Sequence, residues 1–309
     1  MRPRPLLLLR RLPQPLGGGR RRRVHVVAQA GFENEADTYE RTRPSYPPEA
    51  LRLVVQAIER AAAQASGSAQ PPLPMLDLAA GTGLFTRLLA AYPLLQVVAV
   101  EPVAAMRRVF NQVLPPTVGV VEGSATRIPF PDGHFAAVGV AQAFHWFDSL
   151  EAAREIRRVL RPGAPLILIW NMESRQAPWM AAVRDVYEPY DENIPQYRTG
   201  RWKRVFELPE TRAALFPGPL QTRFVTQHML VTPAEVWERV LSKSYIASLN
   251  AKEQAVVRAK VEAVLAQHDD AFNIVRRGRD GVERRYARQP IETEVTYVLA
   301  SPATTPPFE

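Results

Sequence analysis

The sequence predicts an α/β protein built on a parallel sheet with helices on both faces. Short apolar runs alternate with helical patterns between residues 75 and 170, and that alternation calls for parallel strands joined by crossover helices. The first run feeds a Gly-x-Gly turn at Gly81 and Gly83. The second run ends in a carboxylate, Glu101. A sheet with these two features at neighbouring strand tips is shaped to take a nucleotide-like ligand along its carboxyl edge.

In chain order, residues 1–31 stand apart. Residues 1–32 hold eight Arg, no Lys and no acid, so the net charge of +8 resides there and the remainder balances 31 basic against 31 acidic residues. A basic, acid-depleted leader predicts an organellar transit peptide, plastid or mitochondrial. The alternatives are a disordered basic arm and a cytoplasmic protein. The leucines at 6–9 are too few for the apolar segment of a secretory signal, which needs roughly 7 residues or more. A neutral body lacks the basic face that nucleic-acid binding requires, so no nucleic-acid partner is expected. The chain has no cysteine and no HxxxH or HExxH spacing among its five histidines, which leaves no visible metal ligand set. No apolar run approaches the ~18 residues of a membrane-spanning helix. Oligomeric state has no sequence signal.

Residues 32–300 read as one domain. Pro47 and Pro48 open a helix with Leu51, Val54, Val55 and Ile58 on one face. Residues 66–74 are a linker by composition. Strands are expected at 75–80, 97–100, 118–121, 135–143 and 165–170. Asp148 with Glu151 suggests a capping box for a helix with a Leu150, Ala153, Ile156 and Leu160 stripe, stopped by Pro162-Gly163. The core at 75–171 then gives way to a helical, substrate-side insertion at 172–220, rich in Pro and aromatic residues. Helices begin at Thr232-Pro233-x-Glu235 and Asn250-x-x-Glu253. A last strand is expected at 291–299, and 301–309 is a loose tail.

The first strand and its turn, Met75-Leu-Asp-Leu-Ala-Ala-Gly-Thr-Gly83, carry the strongest chemical signal. A dinucleotide fingerprint needs a further Gly or Ala three residues on; Thr86 stands there, which disfavours a nicotinamide oxidoreductase. Asp77 would repel a pyrophosphate but suits a ligand bearing an ammonium group. Glu101 is placed to accept both hydroxyls of a ribose. Met106 could cover an adenine or simply pack in the core.

Two further stretches make the pattern specific: Glu122-Gly-Ser-Ala-Thr-Arg before the fourth strand, and Phe144-His-Trp-Phe-Asp148 after it. With them, the chain resembles a class I S-adenosylmethionine-dependent methyltransferase of the type 11 superfamily. Within it, Arg43-Pro-Ser-Tyr-Pro47 and the Phe144 to Asp148 motif look like the branch containing fungal trans-aconitate methyltransferases. The resemblance implies a Rossmann-like, seven-stranded, mostly parallel sheet with an antiparallel last strand. It implies S-adenosyl-L-methionine as cofactor and a small-molecule methyl acceptor, a carboxylate or a quinone-like ring. It also implies that Asp77, Gly81 and Gly83 hold the methionine end, Glu101 the ribose, Ser124 and Ala125 the adenine, and that Gln142 lies beside the methionine. Ser124 stands where the family commonly has an acid, and a hydroxyl is the weaker acceptor. That departure leaves a cofactor-binding protein without catalysis as the alternative.

His145 is the one histidine at a strand's carboxyl end beside these motifs, so it is either a general base or a residue that shapes the pocket. Tyr39, Arg43 and Tyr46 either cover the cofactor or pack the first helix. Arg198, Arg201 and Trp202, and the six arginines between 276 and 288, could face an acidic substrate or only solvent.

Overall fold

A computed structural model describes residues 43–65, 70–191, 194–278 and 280–302. The basic leader, Tyr39 and the tail beyond 302 lie outside the described residues.

The first helix, α1 (Pro48–Gln64), begins at the Pro47-Pro48 pair, since proline fits the first helical turn, where its missing N–H is no loss. The sheet is then laid down by β1 (Leu73–Leu78), β2 (Leu95–Val100), β3 (Val120–Val121), β4 (Ala137–Ala141) and β5 (Pro165–Glu173). Between them run α2 (Leu84–Leu89), α3 (Ala104–Val113) and α4 (Leu150–Val159). After β5 come α5 (Pro178–Tyr187) and a series of short turns reaching Leu215. The chain continues through β6 (Gln221–Val231), α6 (Pro233–Leu241), α7 (Ser244–Ala247) and α8 (Ala251–Gln267), and closes with β7 (Ile274–Arg277) and β8 (Glu283–Leu299).

The main strand order is β3-β2-β1-β4-β5-β8-β6, and β7 pairs with β8 outside that path. Strands β1 to β5 are parallel. β8 runs antiparallel between β5 and β6. The order reverses at β1, between β2 and β4, and there the crevice for a ligand opens at the carboxyl ends of the strands.

Alternation within the strands builds two cores. Leu76, Leu78, Val138, Val140, Leu166 and Leu168 join α4 and Trp202 on one face. Met75, Ala137, Ile167 and Ile169 join α1 and Phe85 on the other. Both faces are thus apolar, as a covered parallel sheet requires. A third core, formed by Val183, Val240, Ile246, Val257 and Val261 among others, holds α5 to α8 together as a helical cap.

Three local expectations change. The third strand shrinks to two residues. α4 is capped by Ser149, whose Oγ accepts the Ala152 amide at 3.2 Å, and not by Asp148. The helix starts one residue later than the Asp148–Glu151 spacing implied, so the side chain within reach of the first free amides is the serine. The cap also has two parts, one before β6 and one between β6 and β7, where a single insertion at 172–220 was expected. The capping boxes at Thr232–Glu235 and Asn250–Glu253 are both formed.

Candidate active site

The turn after β1 is held to β2: the Ala79 and Ala80 amides donate to the Val100 carbonyl at 2.8 and 3.2 Å. Ala79 adopts φ 58, a left-handed conformation that costs about 1 kcal/mol or more outside glycine. Gly81 and Gly83 are left-handed too, but their bare Cα atoms serve different ends. A Cβ on Gly81 would meet nothing within 4 Å, so this side of the turn faces open space. A Cβ on Gly83 would lie 2.5 Å from Leu114 Cδ1 and 2.6 Å from Phe110 Cδ2. The close approach at Gly83 is therefore made by α3 of the protein itself.

Two buried carboxylates flank the turn. Thr86 Oγ1 donates to Asp77 Oδ2, while Oδ1 is buried with no partner among the described residues. Burial, with some repulsion from Glu101, pushes the Asp77 carboxyl up to about 7. The threonine that spoils a dinucleotide fingerprint is thus the hydroxyl that orients this aspartate. Glu101 accepts the Gly81 amide on Oε2 and the Val103 amide on Oε1, each at 2.8 Å. Burial raises it to about 7 despite these bonds. A carboxylate has about four acceptor positions, so Glu101 still has capacity for two ribose hydroxyls. The open side of Gly81 and the orphaned Asp77 oxygen fit a ligand with an ammonium group and a ribose, which S-adenosylmethionine is.

At the tip of β3, the Ser124 amide donates to the Arg127 carbonyl at 3.1 Å, and its Oγ lies 3.3 Å from Thr126 Oγ1. Ala125 follows, buried. Met106 packs with Val103 and Val109, as core. Gln142, just beyond β4, has φ 57. Its amide donates to the Ile169 carbonyl at 2.8 Å and its Nε2 to the Asn171 carbonyl at 3.1 Å.

From Gln142 a cavity of about 670 Å³ of empty space, open to solvent, runs beneath the cap. His145 lies on its wall in a short turn (Phe144–Trp146). Trp170 Nε1 donates to His145 Nδ1 at 3.4 Å. Burial, helped by the nearby Arg43 charge, pushes the His145 imidazole down to about 3. The ring is neutral, and with Nδ1 accepting, the hydrogen-bond network assigns the proton to Nε2.

The far wall is one that sequence reasoning did not single out. Glu173, at the end of β5, accepts from Arg239 Nε at 2.8 Å and lies 3.3 Å from Lys243 Nζ. Burial alone would raise the Glu173 carboxyl, but Arg239 and Lys243 hold it well below the usual range. Burial pushes the Lys243 ammonium down to about 7, against the pull of Glu173. Arg239 and Lys243 stand four residues apart, a helical spacing that only the position of β5 makes meaningful.

The remaining candidates divide. Tyr46 is buried edge-on against Phe85, with ring centroids 5.4 Å apart, and so packs α1. Arg43 lines the cavity, and its Nη2 donates to the Ser242 carbonyl at 3.2 Å. Trp202 is core, its ring tilted against Trp170 with centroids 4.6 Å apart, whereas Arg198 lines the cavity and Arg201 is exposed. In the 276–288 stretch, Arg284 pairs with Asp280 and Arg285 with Asp269 on the β7–β8 hairpin, away from the cavity lining.

Residues 76–168 match the family described as a methyltransferase domain. An uncharacterized methyltransferase of Mycobacterium tuberculosis is 34% identical over 247 residues, covering 78% of this chain and 88% of that one. A methyltransferase-like protein of Schizosaccharomyces pombe is 30% identical over 238 residues, 75% of this chain and 85% of its own. A solved Anaeromyxobacter dehalogenans structure, assigned as a type II methyltransferase, shares the fold with a TM-score of 0.56 at 20% identity, covering 84% of this chain and 99% of that one. The strand order, the paired carboxylates at the β1 and β2 tips and these relatives agree: the chain belongs to the methyltransferase family and is an enzyme whose methyl donor is S-adenosylmethionine.

Proposed function

We propose that this enzyme transfers a methyl group to a small-molecule acceptor held between the β4 tip and the cap. The observation that supports this most is the cavity itself, which begins at Gln142 beside the cofactor strands and ends among cap side chains. When bound, the cofactor supplies an activated methyl on a sulfonium, and transfer then depends on alignment and a dry site. Asp77 and Glu101 would hold the donor at its ammonium and ribose, and Ser124 and Ala125 would meet the adenine.

The acceptor is a carboxylate or a quinone-like ring. Among similar proteins, a malonyl-[acyl-carrier protein] O-methyltransferase of Methylococcus capsulatus is 39% identical over 100 residues. A demethylmenaquinone methyltransferase of Deinococcus radiodurans is 36% identical over 174. The cationic far wall favours the carboxylate, which needs no base. In this reading His145 orients the acceptor by donating from Nε2. A ring whose proton uptake is pushed down to about 3 is a poor base near neutral pH.

The test is incubation with methyl-labelled S-adenosylmethionine and a pool of small carboxylic acids and quinols. Label transferred to a small molecule is expected. Label found only on added protein or RNA, with none on any small molecule, would overturn the proposal.

A further inference from the structure

The far wall of the cavity has more hydrogen-bond donors than acceptors. Arg239 Nη1 and Tyr187 Oη are both buried and have no partner among the described residues, and both residues line the cavity. Arg239 is 7% exposed and Tyr187 2%. Lys243 Nζ sits 4.5 Å from the Tyr187 ring centroid and shares the carboxylate of Glu173 with Arg239. Burial also holds the Tyr187 phenol protonated, well above its ordinary range, so it too can donate. The nearby Glu188 is bonded by Arg175 and Arg184 at 2.6 Å each, so its charge is already matched by two guanidinium groups.

Native proteins rarely leave a buried donor unpaired, since such a group has lost its hydrogen bond to water and gained none in return. Here two unpaired donors and a shared ammonium belong to residues that line one cavity. An anionic acceptor answers them together, because the Arg239 guanidinium and the Lys243 amine already share the single carboxylate of Glu173 and a second anion would hold Lys243 in its charged form.

We infer that Arg239, Lys243 and Tyr187 form an anion subsite, which holds a carboxylate or phosphate group of the acceptor and so selects anionic small molecules. This rests on the reading of the cavity as the acceptor site, and it can be tested without methyl transfer.

Thermal-shift titrations of the full-length protein with succinate, inorganic phosphate and the uncharged succinamide test it. Succinate or phosphate is expected to raise the melting temperature saturably and succinamide is not; the better anion identifies the group recognised. Tyr187→Phe removes only an unpaired hydroxyl and keeps the ring under Lys243, so its fold is expected to persist while anion affinity falls at least threefold. Arg239→Lys keeps the charge beside Glu173 but loses the Nη1 donor, with an expected loss of tenfold or more. If Arg239→Lys fails to fold, Tyr187→Phe decides alone. Equal shifts with succinamide, no shift with either anion, or wild-type anion affinity in Tyr187→Phe would overturn the inference. Calorimetry with S-adenosylhomocysteine on the same samples keeps the two readings separate: failure to bind it would remove the transferase assignment and leave the anion result intact.

Discussion

Glu101 accepts the backbone amide of Gly81 at 2.8 Å, so the side chain proposed to hold the ribose also shapes the turn proposed to take the methionine end. Loss of the carboxylate therefore acts on two parts of one ligand. Glu101→Ala is expected to weaken S-adenosylhomocysteine binding by about 1.5–3 kcal/mol, the scale for hydrogen bonds to a charged group. Calorimetry on folded mutant checks this, and an unchanged dissociation constant would place the ribose elsewhere.

The two glycines of the turn should separate stability from binding. Gly83→Ala drives a Cβ into Leu114 and Phe110 and should cost about 2–4 kcal/mol of stability from overpacking and left-handed strain together. Gly81→Ala meets open space, so only the strain of about 1–2 kcal/mol remains. Its main effect should be on cofactor affinity. Denaturant melts and calorimetry on both variants would show the split; equal stability losses would contradict it.

Cofactor affinity should rise with pH between 6 and 8. Burial raises both Asp77 and Glu101 to about 7, so each holds a proton in the ligand-free protein below that pH. An ammonium and two hydroxyls bind the ionised forms. Affinity should therefore change by about tenfold per pH unit below 7 for each carboxylate that must ionise, with protons released on binding. The same shifts favour the ligand-free fold at low pH: that contribution is full below about 4, the unfolded value, and is lost as pH rises through 7. Calorimetry in two buffers of different ionisation enthalpy measures the released protons, and Asp77→Asn should reduce their number.

His145→Asn should keep most of the turnover, because a small amide can still donate into the cavity. At saturating cofactor the turnover of the wild type should also show no acid limb near 6.5, the ordinary histidine value, since burial has moved this ring to about 3. A pH–rate profile with an inflection at 6.5 that vanishes in His145→Asn would restore the general-base role.

The parallel part of the fold was legible because a strand buried on both faces must be apolar along most of its length, as in residues 97–100 and 165–170. The tip residues could be read for a related reason: Asp77, Gly81 and Glu101 are polar or bare where such strands end, and few other causes put them there. β6 escaped notice because it is an edge strand. Phe224 is 60% exposed and only Val225 and Val231 of the strand are buried, so neither continuous nor alternating apolarity marks it. The Glu173–Arg239–Lys243 wall was hidden differently. Its members are 66 and 70 residues apart, and a charge reads as solvated until the fold brings it under cover.

β8 runs for 17 residues and pairs in turn with β7, β6 and β5. Its first half edges the cap, and its second half is a member of the cofactor sheet. The two regions therefore share a single spine rather than meeting at a hinge. β6 follows β8 from Tyr297 back to Ala287, so both strands carry the sheet toward the cap. On the proposed reading of the two sites, this spine sets their separation before either ligand arrives, so the alignment that methyl transfer needs comes from folding instead of being drawn from binding energy.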